Sequence, residues 1–85
     1  MQNNKVSVIG GGSFGTVIAN ITATNGFDVQ FWMRSSEQVA QINNTGENPQ
    51  YLPRYKLNSR VHATIDMAEA VHDSKVVFVA VPSLS

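Results

Sequence analysis

The sequence predicts an α/β fold in which helices alternate with the strands of a doubly wound parallel sheet. Three observations support this prediction. Residues 5–9 and 75–81 are rich in β-branched side chains and are apolar enough for strands buried on both faces. Segments with the apolar spacing of helices separate the predicted strands. A glycine-rich stretch joins the first predicted strand directly to the first predicted helix.

The predicted elements follow one another in the order β-α-β-α-β-α-β over 85 residues. This alternation implies parallel strands joined by right-handed crossovers, with the spatial order 3-2-1-4. Because nothing after residue 85 covers the last strand, we expect residues 1–85 to be the N-terminal part of a larger domain. Besides the two strands above, the sequence predicts helices at 16–24, 36–43 and 67–72, strands at 29–33 and 61–63, and a proline-containing loop at 44–53.

Composition excludes several classes of function. The formal net charge is zero and only 14% of residues are charged, so we expect no binding to nucleic acid or to a membrane surface. The chain has no cysteine, and His62 and His72 lie ten positions apart, so we expect no metal site and histidines that are structural or solvent-facing. Without a targeting signal or an apolar run of roughly 20 residues, the expected location is the cytoplasm.

The glycine-rich stretch has the spacing Gly10-x-Gly12-x-x-Gly15, which is the dinucleotide-binding fingerprint of Rossmann-type folds. Gly10 is expected to allow a tight turn, Gly12 a close approach of the pyrophosphate, and Gly15 close packing of helix on strand. The helix would direct free amides and the positive end of its dipole at the phosphates. Ser13 is expected to add a hydroxyl donor and Phe14 to shield the site. The alternative is a turn that only connects strand and helix, but the strand–turn–helix context favours nucleotide binding.

The end of the second predicted strand bears on the choice of cofactor. An acidic residue there would favour NAD, whereas the sequence has Arg34, 19 residues after Gly15. A guanidinium can hold the 2′-phosphate of NADP through paired hydrogen bonds, so NADPH is favoured over NADH. The alternative is that Arg34 is a solvated charge. Glu37 is expected in the first turn of the following helix, and Trp32 is expected in the core.

Three segments of the chain stand out together: VIGGGSFGT at 8–16, FWMR at 31–34 and NPQYLP at 48–53. They resemble V-I-G-A-G-S-W-G-T, L-W-x-R and N-x-x-Y-L-P of the NAD(P)-dependent glycerol-3-phosphate dehydrogenases of bacterial type, and the segment at 48–53 is the most specific of the three. VAVPS at 79–83 also contains that family's A-V-P-S. Gly11 stands where the family usually has alanine, and Phe14 where it usually has tryptophan; both departures are mild.

The resemblance implies the front part of a two-domain enzyme that reduces dihydroxyacetone phosphate to sn-glycerol 3-phosphate with NAD(P)H, a product used in phospholipid synthesis. It also implies a homodimer. By position, the family's cofactor contacts fall on Ser13, Phe14 and Arg34, and Tyr51 is expected at the rim of the cofactor cleft. The family's catalytic lysine and substrate site lie beyond residue 85. Lys5 and Lys75 are instead expected to be solvated residues beside strands.

Two alternatives remain open. Other dehydrogenases with the same front part, such as ketopantoate reductases or hydroxyacyl-CoA dehydrogenases, share the fingerprint, although the Tyr-Leu-Pro loop argues against them. A non-catalytic NAD(P)-sensing Rossmann module would also share the fingerprint but would have no catalytic domain.

Overall fold

The computed structural model describes residues 4–80, apart from the side chains of Leu52 and Pro53. Strands and helices alternate along this part of the chain, as predicted. The strands are β1 (Lys5–Ile9), β2 (Asp28–Trp32), β3 (Glu47–Asn48), β4 (Leu52–Lys56), β5 (Val61–Thr64) and β6 (Val76–Val79). The helices are α1 (Ser13–Thr24), α2 (Ser36–Thr45) and α3 (Met67–Val71).

Four strands form a parallel sheet in the order β5-β2-β1-β6. This is the predicted order 3-2-1-4, and it confirms the predicted doubly wound arrangement. Val8 of β1 lies between Phe31 of β2 and Phe78 of β6. The chain builds the sheet outwards from β1 to β5 and then returns to the other side of β1 for β6. The carboxyl ends of β1 and β6 therefore mark the point where the strand order reverses, which is where open α/β sheets bind ligands.

The core lies between the sheet and the helices α1 and α2. Phe31 and Val29 of β2 and Val8 of β1 are fully buried, and Ala19 and Ala23 let α1 pack closely against them. Burial of a side chain the size of Phe31 stabilises the fold by roughly 1.5–3 kcal/mol.

The ends of the helices follow local signals, with small differences from the prediction. α1 begins at Ser13 rather than Thr16, because Gly12 serves as its N-cap and the glycine-rich residues already form the first turn. The Ser35 hydroxyl caps α2 by accepting from the Gln38 amide at 3.2 Å. α2 ends at Thr45, two residues later than predicted, and the left-handed Gly46 that follows is its C-cap. α3 ends at Val71, one residue early, β2 is shifted to 28–32, and β5 extends to Thr64.

The prediction that residues 44–53 form a loop was wrong. α2 continues to Thr45, and β3 and β4 then form an antiparallel hairpin in which Glu47 pairs with Lys56 and Asn48 with Leu52. The Tyr51 amide closes the turn by donating to the Asn48 carbonyl at 3.1 Å. Proline is compatible with this hairpin because a two-stranded sheet consists only of edge strands.

The expectation that the last strand is buried on both faces was also wrong. Val76, Val77 and Phe78 are 42–44% exposed and Val79 is 65% exposed. Within residues 4–80, β6 pairs only with β1 and so forms an edge of the sheet. Residue 81, which was also predicted to belong to this strand, lies outside the described residues.

Lys5 is more than a solvated flank of β1, contrary to prediction. Its Nζ donates to the Glu69 carbonyl at 2.9 Å and to the His72 carbonyl at 2.5 Å. A cation there suits the negative end of α3. Lys75 is exposed, as predicted, and so are His62 and His72. Among residues 4–80, no helix has the length and apolar character needed to cross a membrane.

Candidate functional site

The chain turns sharply where β1 ends, and the geometry there requires glycine at position 10. Gly10 has a φ of +119°, which L side chains rarely adopt. A Cβ at this position would lie 2.2 Å from the Ala80 carbonyl oxygen at the end of β6. The Gly10 amide donates to the Trp32 carbonyl at 2.9 Å. Gly10 therefore holds the ends of β1, β2 and β6 close together.

The other two fingerprint glycines have opposite surroundings. Gly15 is buried, and a Cβ there would lie 2.0 Å from the Gly10 carbonyl oxygen, so α1 crosses directly over the turn. A Cβ on Gly12 would meet no atom within 4 Å. Gly12 is the N-cap of α1 and provides no side-chain cap. The first amides of the helix, which have no partner within the helix, therefore remain available beside an open space.

A cavity of about 530 Å³ lies at the carboxyl ends of the central strands. Its volume is within the range of roughly 300–1,000 Å³ that is typical of small-molecule sites. It is bounded by the glycine turn, the end of β2, the start of α2, the hairpin and the end of β6. The lining residues are Gly10, Gly11, Gly12, Trp32, Met33, Arg34, Ser35, Gln38, Tyr51 and Ala80.

The end of β2 forms one wall of this cavity. Arg34 and Ser35 are exposed there, and no hydrogen bond or ion pair engages the Arg34 guanidinium within residues 4–80. Glu37 lies in the first turn of α2, as predicted. Trp32 was expected in the core but is only partly buried: its ring lines the cavity, and its Nε1 donates to the Ile65 carbonyl at 2.9 Å.

The hairpin brings Tyr51 to the opposite side of the cavity. The Ser13 hydroxyl donates to the Tyr51 carbonyl at 3.1 Å and so links the start of α1 to the hairpin turn. A second link joins Asn20 of α1 to the Tyr55 hydroxyl at 3.0 Å. Phe14 is 70% exposed and does not line the cavity.

The structure thus gathers most of the site residues that the sequence singled out. Gly10, Gly12, Arg34 and Tyr51 surround one cavity. Ser13 lies beside it through its bond to Tyr51, and Gly15 packs against the turn.

Three buried polar side chains around the turn, of which Gln38 also lines the cavity, were not singled out as site residues. Gln38 Nε2 donates to the Gly11 carbonyl at 2.7 Å and to Asn48 Oδ1 at 3.0 Å. Asn48 Nδ2 donates to Thr16 Oγ1 at 2.9 Å and to the Gly11 carbonyl at 3.3 Å. Thr16 Oγ1 donates to the Gly12 carbonyl at 2.7 Å. The sequence signal for these residues was confined to the position of Asn48 in the 48–53 segment and to the position of Gln38 three residues after Ser35, which is the spacing of a capping box. The structure shows instead that the Gln38 side chain turns away from the cap.

The fold and the site together define the class of protein. A parallel sheet whose strand order reverses at β1, with a glycine turn leading into α1 beside a cavity, is the Rossmann-type dinucleotide-binding architecture. Residues 5–85 match the family described as "NAD-dependent glycerol-3-phosphate dehydrogenase N-terminus". The chain therefore belongs to this family.

Curated relatives agree with this assignment. A glycerol-3-phosphate dehydrogenase [NAD(P)+] from Teredinibacter turnerae is 48% identical over 81 residues, which are 95% of this chain and 24% of the relative. One from Ectopseudomonas mendocina is 47% identical over 78 residues, 92% of this chain and 23% of the relative. This chain thus spans about a quarter of the length of these relatives.

Solved structures show the same architecture. The glycerol-3-phosphate dehydrogenase of Saccharomyces cerevisiae superposes with a TM-score of 0.87 at 30% identity, covering 95% of this chain and 27% of that one. The enzyme of Coxiella burnetii gives a TM-score of 0.83 at 26% identity, covering 91% of this chain and 24% of that one.

Proposed function

We propose that this chain supplies the cofactor-binding part of a glycerol-3-phosphate dehydrogenase, which reduces dihydroxyacetone phosphate to sn-glycerol 3-phosphate with NADPH or NADH. Membership of the family and the names of the relatives support this function. In this proposal residues 1–85 are the N-terminal portion of the Rossmann domain. The catalytic lysine and the substrate-phosphate site lie in a helical domain that follows.

The observation that carries the proposal is the open space over Gly12. Its absent side chain leaves room beside the first amides of α1, where a bridging pyrophosphate fits. Amides at a helix N-terminus are suited to an anion because they donate hydrogen bonds and because the helix dipole is positive there. Gly10 and Gly15 allow the turn and α1 to pack closely beside this open space, and the Ser13 hydroxyl lies at its edge.

The adenosine end of the cofactor would lie along the end of β2. Arg34 supplies a cation with no internal partner among residues 4–80, so its guanidinium can hold a 2′-phosphate. Ser35 can donate a second hydrogen bond. For this reason we propose NADPH as the preferred cofactor.

The remaining contacts would come from the rim of the cavity. Tyr51 borders it from the hairpin and would limit access of water to the cofactor. Phe14 would cover the outer side of the bound molecule, since 70% of its surface is exposed for such a contact.

This chain's own residues bind and orient the cofactor. When bound, the nicotinamide would supply the hydride for C2 of dihydroxyacetone phosphate, and the carbonyl oxygen would take up a proton. The turn and Arg34 would hold the phosphates at two points, which fixes the rest of the molecule relative to the carboxyl ends of β1 and β6.

The test is an activity assay of the complete gene product with dihydroxyacetone phosphate and each reduced cofactor. We expect oxidation of NADPH, and more slowly of NADH, that depends on added dihydroxyacetone phosphate. Tight binding of NADPH without turnover would contradict the enzyme and favour the non-catalytic sensing module. Turnover only with ketopantoate, offered in a parallel reaction, would contradict the proposed substrate.

We also propose that the complete protein is a cytoplasmic homodimer, as the family resemblance implies. Light scattering on the purified gene product tests the dimer, and a monomeric mass would contradict it. Fractionation of cells tests the location, and recovery with membranes would contradict it.

A further inference from the structure

We propose that Thr16, Gln38 and Asn48 are positioning residues that direct two main-chain amides of the glycine turn towards the pyrophosphate. This inference rests on the proposed function, because it concerns the same cofactor. Thr16 and Asn48 are fully buried, and Gln38 is 7% exposed. They act through the backbone of the turn and come from three different elements, α1, α2 and the hairpin.

The three side chains form a closed network with every donor used. Both hydrogens of the Gln38 amide are donated, one to the Gly11 carbonyl and one to Asn48. Both hydrogens of the Asn48 amide are donated as well, to the same carbonyl and to Thr16. The Thr16 hydroxyl donates a hydrogen bond to the Gly12 carbonyl at 2.7 Å. A fully satisfied buried network of this kind holds its members in one arrangement.

The network ends on two consecutive carbonyl groups, which determines where the next amides point. In a trans peptide the C=O of one residue and the N–H of the next point in opposite directions. The Gly11 carbonyl is held towards Gln38 and Asn48, so the Gly12 amide points away from them. The Gly12 carbonyl accepts from both the Thr16 hydroxyl at 2.7 Å and the Thr16 amide at 3.0 Å, so the Ser13 amide also points outwards from the body of the helix. The fixed carbonyls therefore preset two donors for an anion.

Backbone bonds hold the turn at the Gly10 amide and the Gly12 carbonyl, but Gly11 and Gly12 add little restraint of their own, because glycine has the widest choice of backbone conformations. Gly12 has open space around its Cα, so no packing restrains it on that side. At Gly11, by contrast, a Cβ would lie 3.1–3.2 Å from the Gln38 amide atoms, so the Gln38 side chain packs directly on the turn. The network thus replaces the restraint that side chains would normally provide.

Thr16→Val tests the inference because valine keeps the shape of threonine and places a methyl group where the hydroxyl was. The bond to the Gly12 carbonyl and the acceptor for Asn48 Nδ2 are both lost, while the backbone bond from the Thr16 amide to the Gly12 carbonyl stays. We expect the Kd of the complete gene product for NADPH and for NADH to rise by the same factor, about tenfold, which corresponds to one weakened hydrogen bond to a charged group. Both Kd values change equally because both cofactors contain the pyrophosphate. Thr16→Ser, which keeps the hydroxyl, should restore wild-type affinity.

The matched control is Thr45→Val. The Thr45 hydroxyl makes the same type of bond, to the Gln41 carbonyl at 2.6 Å, at the end of α2 and away from the cavity. We expect wild-type affinity for both cofactors in this variant. Gln38→Met is measured in parallel, since it removes the side-chain amide and keeps the length of the side chain. This variant should also bind both cofactors more weakly. If Thr16→Val does not fold, the Kd values of Gln38→Met test the positioning role in its place.

The outcomes separate this inference from the proposed function. If the wild-type protein binds neither NADPH nor NADH, the proposed function fails. If the wild type binds but the folded Thr16→Val and Gln38→Met proteins bind equally well, with only lower melting temperatures, the three residues are merely structural and the inference is overturned. The inference would also be overturned if Thr16→Ser did not restore wild-type affinity for the cofactors. The same holds if Thr45→Val lost as much affinity as Thr16→Val.

Discussion

Replacing Gly12 by valine should separate cofactor binding from folding, because Gly12 lies against open space rather than against protein. No atom lies within 4 Å of the position that its Cβ would take. Its backbone is extended, with φ −78° and ψ −172°, so a side chain is not strained there. The expected loss of folding stability is therefore limited to the poorer N-cap, about 1 kcal/mol or less.

The effect of this substitution on binding should be much larger. The valine side chain would fill the space in which we place the pyrophosphate, beside the first amides of α1. If two amide hydrogen bonds to the charged phosphates are lost, at roughly 1.5–3 kcal/mol each, the Kd rises at least 100-fold. Calorimetric titration of the complete gene product with NADPH measures this change, and thermal unfolding of the same sample measures stability.

Gly15→Ala provides the opposite control. A Cβ at Gly15 would lie 2.0 Å from the Gly10 carbonyl oxygen, so α1 and the turn must move apart by more than 1 Å. Overpacking of this kind costs about 1–3 kcal/mol of folding stability. We therefore expect Gly15→Ala to lower the melting temperature clearly and Gly12→Val to lower it little. If Gly12→Val binds NADPH as tightly as the wild type does, the assignment of the pyrophosphate to this turn is wrong.

Three further substitutions test other parts of the account. Arg34→Asp should raise the Kd for NADPH about tenfold more than the Kd for NADH, because only NADPH carries a 2′-phosphate. Equal increases of the two Kd values in calorimetric titrations would show that Arg34 does not contact the 2′-phosphate. Gly11→Ala should lower the melting temperature, because its Cβ would lie 2.8 Å from the Met33 Cβ, which cannot move without the backbone; an unchanged transition would contradict that packing. Residues 1–85 expressed alone should self-associate through the exposed edge strand β6. Val79→Lys should reduce this association, because a charged side chain opposes pairing at a sheet edge. A monomeric mass of the unsubstituted residues 1–85 in light scattering would refute the prediction of self-association.

The strands were predictable because their signals are local, and their order was predictable because strands that alternate with helices usually form a doubly wound sheet. The apolar residues of β1 and the β-branched residues of β6 identify strands without knowledge of their partners. The need for glycine at position 15 follows in the same way from the junction of one strand with one helix. The Ser35 cap of α2 depends on residues only three positions apart.

The features that could not be predicted depend on contacts between distant residues. The pairing of Glu47 with Lys56 makes a hairpin from a segment whose prolines suggest a loop. The bonds from Lys5 to α3 join residues more than 60 positions apart. The exposure of β6 depends on what packs against it, which a run of apolar residues does not specify.

The same limit applies to the candidate site. The network behind the turn joins Thr16 to Asn48, which lie 32 positions apart, and Gln38 to Gly11, which lie 27 apart. Each of these residues has an ordinary local interpretation, as a helix residue, a cap partner or part of a loop. Their common role becomes visible only when the hairpin places Asn48 beside α1.

A crystal structure of the complete gene product with NADPH tests the central claim most directly. We predict that the pyrophosphate oxygens lie within hydrogen-bonding distance, about 2.7–3.2 Å, of the Gly12 and Ser13 amide nitrogens. Cofactor density elsewhere on the protein, with this turn in contact only with solvent, would contradict the claim.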